Sequence, residues 1–132
     1  MKITADTNIL VRALVEDDAR QAALAQATLR EAELVALPLP VLCELVWVLS
    51  RGYGIAAPEI AAAIRLLLAA ENVVTDGPAA EAGLALLADG GDFADGVIAH
   101  EGRRLGAVTF LSFDRQAVKL LESRDEPALF IS

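Results

Sequence analysis

The sequence contains few of the residues that form disulfides, bind zinc or cross membranes. Its single cysteine, Cys43, cannot form a disulfide within the chain, which suits a reducing cytoplasm. His100 is the only histidine, and one histidine does not supply the ligands that a familiar zinc site needs. We expect His100 on a helix surface. The longest stretch without a charged residue covers ten residues, 34–43, whereas a membrane-spanning helix needs about 20. Asp6 comes too early for a secretory signal peptide. We therefore expect a cytoplasmic protein with no membrane segment.

Basic residues are also scarce. Nineteen aspartates and glutamates stand against eleven lysines and arginines, and the formal net charge is −8. A protein that binds nucleic acid through a broad basic face needs an excess of basic over acidic residues, which this chain does not have. Any nucleic-acid contact would have to rely on bound metal ions and a few arginines. Arg103, Arg104 and Arg115 are candidates for phosphate contacts, although exposed helix arginines of no special role are the favoured interpretation.

Apolar residues are abundant. They make up 55% of the 132 residues, which excludes a disordered, charge-expanded chain. This length predicts one domain over residues 1–132 with one hydrophobic core.

Short apolar runs alternate with helical patterns along the chain. Strands are predicted at 2–5, 34–37, 72–75, 107–111 and 128–131. Helices are predicted at about 7–15, 18–32, 40–51, 58–70, 76–88, 92–105 and 114–121. Strands that are apolar throughout are typical of parallel sheets covered on both faces. The prediction is an α/β domain with a central parallel sheet of four to five short strands, flanked by helices on both faces.

Five acidic residues lie where predicted strands end or the following helices begin: Asp6, Glu44, Asp92, Asp95 and Asp114. In open α/β sheets, sites form beyond the carboxyl ends of the strands. Asp6, Asp92 and Asp114 have an alternative role as helix N-caps. Asp95 would then interact favourably with the positive N-terminal end of the dipole of its helix. Glu44 lies in a helix that is apolar on nearly every side. We expect it to be buried, and therefore to pair with a cation such as Arg51 or to bind metal.

Converging carboxylates repel one another unless a cation lies between them. A site built of oxygen ligands selects Mg²⁺ or Mn²⁺, and such sites hydrolyse phosphodiesters by activating water and stabilising the leaving oxygen. The sequence has no serine–histidine or cysteine–histidine arrangement, no Walker loop and no G-x-G-x-x-G motif. Metal-assisted hydrolysis is therefore the favoured chemistry.

Four segments, in order, resemble the signature blocks of PIN-domain ribonucleases: DTNIL at 6–10, ELVWVL at 44–49, DFADGVIA at 92–99 and TFLSFD at 109–114. The resemblance is strongest to the VapC toxins of toxin–antitoxin pairs. It implies a single PIN-like domain and a catalytic quartet that binds Mg²⁺ or Mn²⁺, with Asp6 and Asp95 as primary ligands and Glu44 and Asp114 completing the set. It also implies Asp92 as an additional acid that can act as a ligand, and Asn8 and Ser112 as residues that orient the acids by hydrogen bonds.

The same resemblance implies an Mg²⁺-dependent endoribonuclease that cuts transfer or ribosomal RNA and so inhibits translation. A cognate VapB-type antitoxin would inhibit it with a C-terminal segment that often carries an arginine. Toxins of this family form homodimers and larger toxin–antitoxin assemblies.

A non-nuclease alternative is a receiver-like phosphoacceptor module with an acidic Mg²⁺ pocket. Such a module needs paired acids after the first strand and a lysine late in the sheet. Here Thr7 and Asn8 follow Asp6, and Lys119 lies within a predicted helix. An inactive PIN domain that only binds partners is disfavoured by the intact quartet.

Overall fold

Short strands alternate with helices from one end of the chain to the other. The computed structural model describes residues Met1–Ser132, which divide into two compact units, Met1–Asp76 and Gly77–Ser132. The first unit contains strands β1 (Lys2–Thr4), β2 (Leu34–Ala36) and β3 (Val73–Val74) and helices α1 (Thr7–Val15), α2 (Ala19–Glu31), α3 (Leu39–Trp47) and α4 (Ala57–Ala69). The second contains α5 (Gly77–Ala88), α6 (Phe93–Arg104), β4 (Phe110–Ser112), α7 (Arg115–Ser123) and β5 (Ala128–Phe130).

In the first unit, β2 is the central strand of a parallel three-stranded sheet in the order β1-β2-β3. Ile3 is paired with Val35, and Val35 with Val73. Val35 and Leu37 are buried because the middle strand is covered, and the Leu37 N–H donates to the Val74 carbonyl at 2.9 Å. The Ala5 N–H donates to the Ala36 carbonyl at 3.2 Å, so the ladder continues to the residue before Asp6.

The predicted helix over 40–51 is observed as two segments. Helix α3 is followed by a π-helical turn over Val48–Gly52, in which the Tyr53 N–H donates to the Val48 carbonyl at 3.2 Å. A π turn shifts the helical register, so sequence spacings that cross it no longer match those of an α-helix. The core-facing side of the two segments is formed by Leu42, Leu45, Val46 and Leu49.

In the second unit, α5 packs closely against α6 through small residues. A Cβ at Gly83 would lie 2.7 Å from the ring of Phe93, which is fully buried. A Cβ at Gly96 would collide with the Ala82 carbonyl oxygen. Strands β4 and β5 form a parallel pair in which Ser112 is opposite Phe130. This pair supports the loop that carries Asp114.

The predicted α/β class is confirmed, with seven helices and five parallel strands. The strands form a three-stranded and a two-stranded sheet. Strand β4 begins at Phe110, three residues after the predicted start, because pairing begins where the Phe110 N–H donates to the Pro127 carbonyl at 3.0 Å. None of the helices is both long and apolar enough to span a membrane. The single domain over residues 1–132 stays a prediction.

Candidate active site

Asp6 directly follows the last ladder residue of β1 and caps helix α1. Its side chain is exposed, and Oδ1 accepts the Thr7 N–H at 2.7 Å. Its backbone is extended, with φ −77° and ψ 157°, as an N-cap requires. The carboxylate thus lies at the carboxyl end of its strand, where open α/β sheets place functional groups. The neighbouring Asn8 is exposed and lines a surface groove between α1 and α2, and it makes no hydrogen bond to Asp6.

Glu44 is exposed, so the expectation that it is buried is wrong. It shares the solvent-facing side of α3 with Trp47, three residues later, whose side chain is 61% exposed. Trp47 makes the helix apolar in sequence on nearly every side, but this apolar residue faces solvent. No ion pair joins Glu44 to Arg51, which is exposed on the π turn. Glu44 therefore needs no buried cation for stability, and its carboxylate is available to a ligand.

Helix α6 begins with two acids. Asp92 is its exposed N-cap, and Oδ1 accepts the Ala94 N–H at 3.1 Å. Asp95 lies one turn along, half-buried. Asp92 therefore caps α6, and its role as a metal ligand stays a prediction.

Asp114 follows β4 after one residue and caps helix α7. Its Oδ1 accepts the N–H groups of Gln116 at 3.0 Å and Ala117 at 3.2 Å. The Asp114 N–H in turn donates to Ser112 Oγ at 2.9 Å. Ser112 therefore holds the backbone of Asp114 rather than its carboxylate, which is held by the two N–H groups of α7.

The second unit concentrates negative charge around Asp95. Burial raises the pKa of Asp95 above its ordinary value of 3.8, and the carboxylates of Asp92 and Asp114 raise it further. None of these three carboxylates forms an ion pair. A divalent cation would relieve the repulsion, and oxygen donors suit Mg²⁺ or Mn²⁺. Carboxylate oxygens are donors that suit such an ion, although no three His, Cys, Asp or Glu side chains are grouped closely enough to hold one.

Two arrangements were missed from the sequence. His100, expected on a helix surface, is half-buried, and its Nε2 is buried without a hydrogen-bond partner. Arg115 stacks on the ring of Phe130, with Cζ 4.0 Å from the ring centroid. The sequence signal that could have pointed to this stack is an arginine at the first position of a predicted helix, where the helix dipole disfavours a cation. The partner, fifteen residues away, was not visible without the β4–β5 pairing.

Comparison with known proteins gives one family. The family model described as the PIN domain matches residues 3–121. PIN domains are in general metal-dependent nucleases and typically bind divalent ions such as Mg²⁺. The match does not favour the receiver-like alternative. A search of curated proteins finds no match.

Proposed function

The chain belongs to the PIN-domain family, and from this premise we propose that it is an Mg²⁺-dependent endoribonuclease acting as the toxin of a type II toxin–antitoxin pair. In this proposal it is a single PIN-like domain, located in the cytoplasm, that hydrolyses phosphodiester bonds of transfer or ribosomal RNA. The VapC type is supported by the four sequence blocks.

One observation carries the nuclease proposal: three neighbouring carboxylates have no cationic side chain to neutralise them. Asp92, Asp95 and Asp114 interact electrostatically, and none of them forms an ion pair. Uncompensated charge of this kind is costly in a protein with no ligand for it, because like charges destabilise one another. The cost is explained if the acids bind a divalent ion.

The proposed ligands are Asp6, Glu44, Asp95 and Asp114, with Asp92 as an additional acid beside them. Bound Mg²⁺ would activate water and stabilise the leaving oxygen of the phosphodiester. Asp6 and Asp114 hold their carboxylates still by capping helices, and Ser112 fixes the backbone at Asp114. Asn8 remains the proposed orienting residue beside Asp6.

The proposed partners are a cognate VapB-type antitoxin and a second copy of the chain, within a larger toxin–antitoxin assembly. The acidic residues support the first, since a segment carrying an arginine complements them by charge.

Cleavage of purified RNA tests the nuclease proposal. Wild-type protein with Mg²⁺ should cut transfer or ribosomal RNA, and EDTA or Asp95→Asn should reduce the rate at least about a hundredfold, as expected for loss of ligands that stabilise transition-state charge. Asp125→Asn is the matched control because Asp125 is an exposed acid of the same unit with φ +60°, which asparagine tolerates. Cleavage that survives both EDTA and Asp95→Asn would show that the reaction does not use this metal site.

Induced expression tests the toxin proposal separately. Growth should stop with wild-type protein, continue with Asp95→Asn, and recover when a short neighbouring antitoxin gene is co-expressed. A nuclease that leaves growth unaffected would retain the enzymatic assignment and lose the toxin role.

A further inference from the structure

We propose that Phe113 and Arg115 form a nucleotide-binding pair on either side of Asp114, in which the Phe113 ring stacks on an RNA base and the Arg115 guanidinium binds the backbone phosphate. This inference rests on the proposed ribonuclease function and names the contacts through which the chain holds single-stranded RNA.

Phe113 presents an aromatic ring to solvent from a fixed backbone. Its side chain is 75% exposed, although it lies between β4 and a helix cap. The turn is held by the Ser112–Asp114 hydrogen bond of 2.9 Å and by the two N–H groups that Asp114 caps. A single exposed apolar side chain is common in proteins. This one differs because it is the residue directly before a candidate catalytic acid.

Arg115 is a cation without an acidic partner. Within the second unit, the other arginines, Arg103, Arg104 and Arg124, each form an ion pair at 2.8–3.0 Å, whereas Arg115 forms none, even with the adjacent Asp114. It also occupies the first position of α7, where the helix dipole disfavours positive charge. Its position is therefore not explained by helix stability.

The guanidinium of Arg115 is held by stacking. It lies 4.0 Å from the centroid of the Phe130 ring, and Phe130 is paired with Ser112 across β4 and β5. Stacking fixes the plane of a guanidinium and leaves N–H donors along its edge, which is the geometry for binding phosphate oxygens. Lys119, one helical turn later and exposed, adds a second cation on the same face of α7.

The two side chains match the two parts of a nucleotide. Single-stranded RNA is commonly bound by stacking bases on aromatic rings and by contacts from cations to phosphates. With a net charge of −8 the chain has no general attraction for RNA, so local contacts of this kind have to supply the affinity. Phe113 and Arg115 flank Asp114 and would hold the nucleotide beside that carboxylate.

Binding of a short fluorescently labelled oligouridine, measured by anisotropy in Mg²⁺ on an Asp95→Asn background, tests the pair. Arg115→Gln should weaken binding about tenfold and lower the slope of log K against log salt by about 0.7, the value for one phosphate contact on a single strand. Phe113→Leu should weaken binding about tenfold without changing the slope, since stacking is not ionic. The different salt responses separate the two roles.

The controls are matched to the two side chains. Arg124→Gln removes an arginine of the same unit that is paired with Asp89 at 3.0 Å, and Leu66→Ala removes an apolar side chain that is 77% exposed. Neither should change binding. A Trp47→Phe, Phe113→Trp double variant places the single tryptophan at 113, where its fluorescence should be quenched when oligouridine binds.

The outcomes separate this inference from the proposed function. If both variants bind and cut RNA as wild type does, the pair is wrong while Mg²⁺-dependent cleavage still stands. Loss of cleavage without loss of binding would also overturn it, as would a wild-type protein that does not bind oligouridine. If the variants lose binding as predicted but wild-type protein cuts no RNA, the pair is correct and the nuclease proposal fails.

Discussion

At the residue scale, three of the five candidate acids also cap helices, so a substitution at these positions can change stability as well as activity. Asp114 shows this most clearly, because one of its oxygens accepts two backbone N–H groups. Asn caps helices about as well as Asp, whereas Ala does not. Asp114→Ala should lower the free energy of unfolding by about 1–2 kcal/mol, and Asp114→Asn by less than about 0.5 kcal/mol. Urea unfolding measures both variants. Equal losses would show that the cap contributes nothing.

The pKa of Asp95 leads to a pH prediction. Burial, Asp92 and Asp114 raise this pKa above 3.8, so the folded protein binds the proton more tightly than the unfolded chain does. The stabilising contribution of Asp95 is therefore fully present below pH 3.8 and is lost as the pH rises through the folded-state pKa. At neutral pH without metal, Asp95→Asn should raise Tm by about 2–4 °C, equivalent to about 0.5–1 kcal/mol. The gain over wild type should shrink towards pH 3 in thermal scans with EDTA. A gain independent of pH would exclude this electrostatic cause.

At the element scale, the contact between α5 and α6 depends on glycine at two positions. A Cβ at Gly96 would meet the Ala82 backbone, which cannot move aside without shifting the helix. Gly96→Ala should therefore destabilise the protein by about 1–3 kcal/mol. Gly102→Ala in the same helix is the control, since no atom lies within 4 Å of its Cβ position, and it should stabilise by about 0.5–1 kcal/mol. Chemical denaturation of both variants checks the opposite signs, and two changes of the same sign would contradict the close packing.

The elements themselves were largely predictable from the sequence. Apolar runs such as 34–37 located the strands, and Asp6, Asp92 and Asp114 located helix starts because short acidic side chains cap helices. The environment of single side chains was harder to predict. Glu44 is predicted to be buried because its helix is apolar on nearly every side, yet the side with Glu44 and Trp47 is exposed, and the π turn at Val48–Gly52 has no clear composition signal. The interaction of Asp95 with Asp114 and the Arg115–Phe130 stack depend on chain segments that only tertiary packing brings together.

At the scale of the whole molecule, the net charge of −8 opposes folding through self-repulsion, and added cations should reduce this cost. Ordinary salt acts by screening alone. Mg²⁺ should also stabilise the folded protein by specific binding if the proposed acids bind it. A ligand that binds only the folded state stabilises that state by RT ln(1 + [L]/Kd), which is about 1.4 kcal/mol at ten times Kd.

Thermal scans in MgCl₂ and in NaCl of equal ionic strength separate the two effects. Wild-type protein and the control Asp125→Asn should show a higher Tm in MgCl₂ than in the matched NaCl, whereas Asp95→Asn should show the same Tm in both. The Asp95→Asn protein should begin from a higher Tm without metal, so the difference between the variants should shrink or reverse as Mg²⁺ is added. Identical responses of wild type to the two salts would mean that the acids act only through net charge, and the metal assignment would fail at the level of binding, before any RNA is cut.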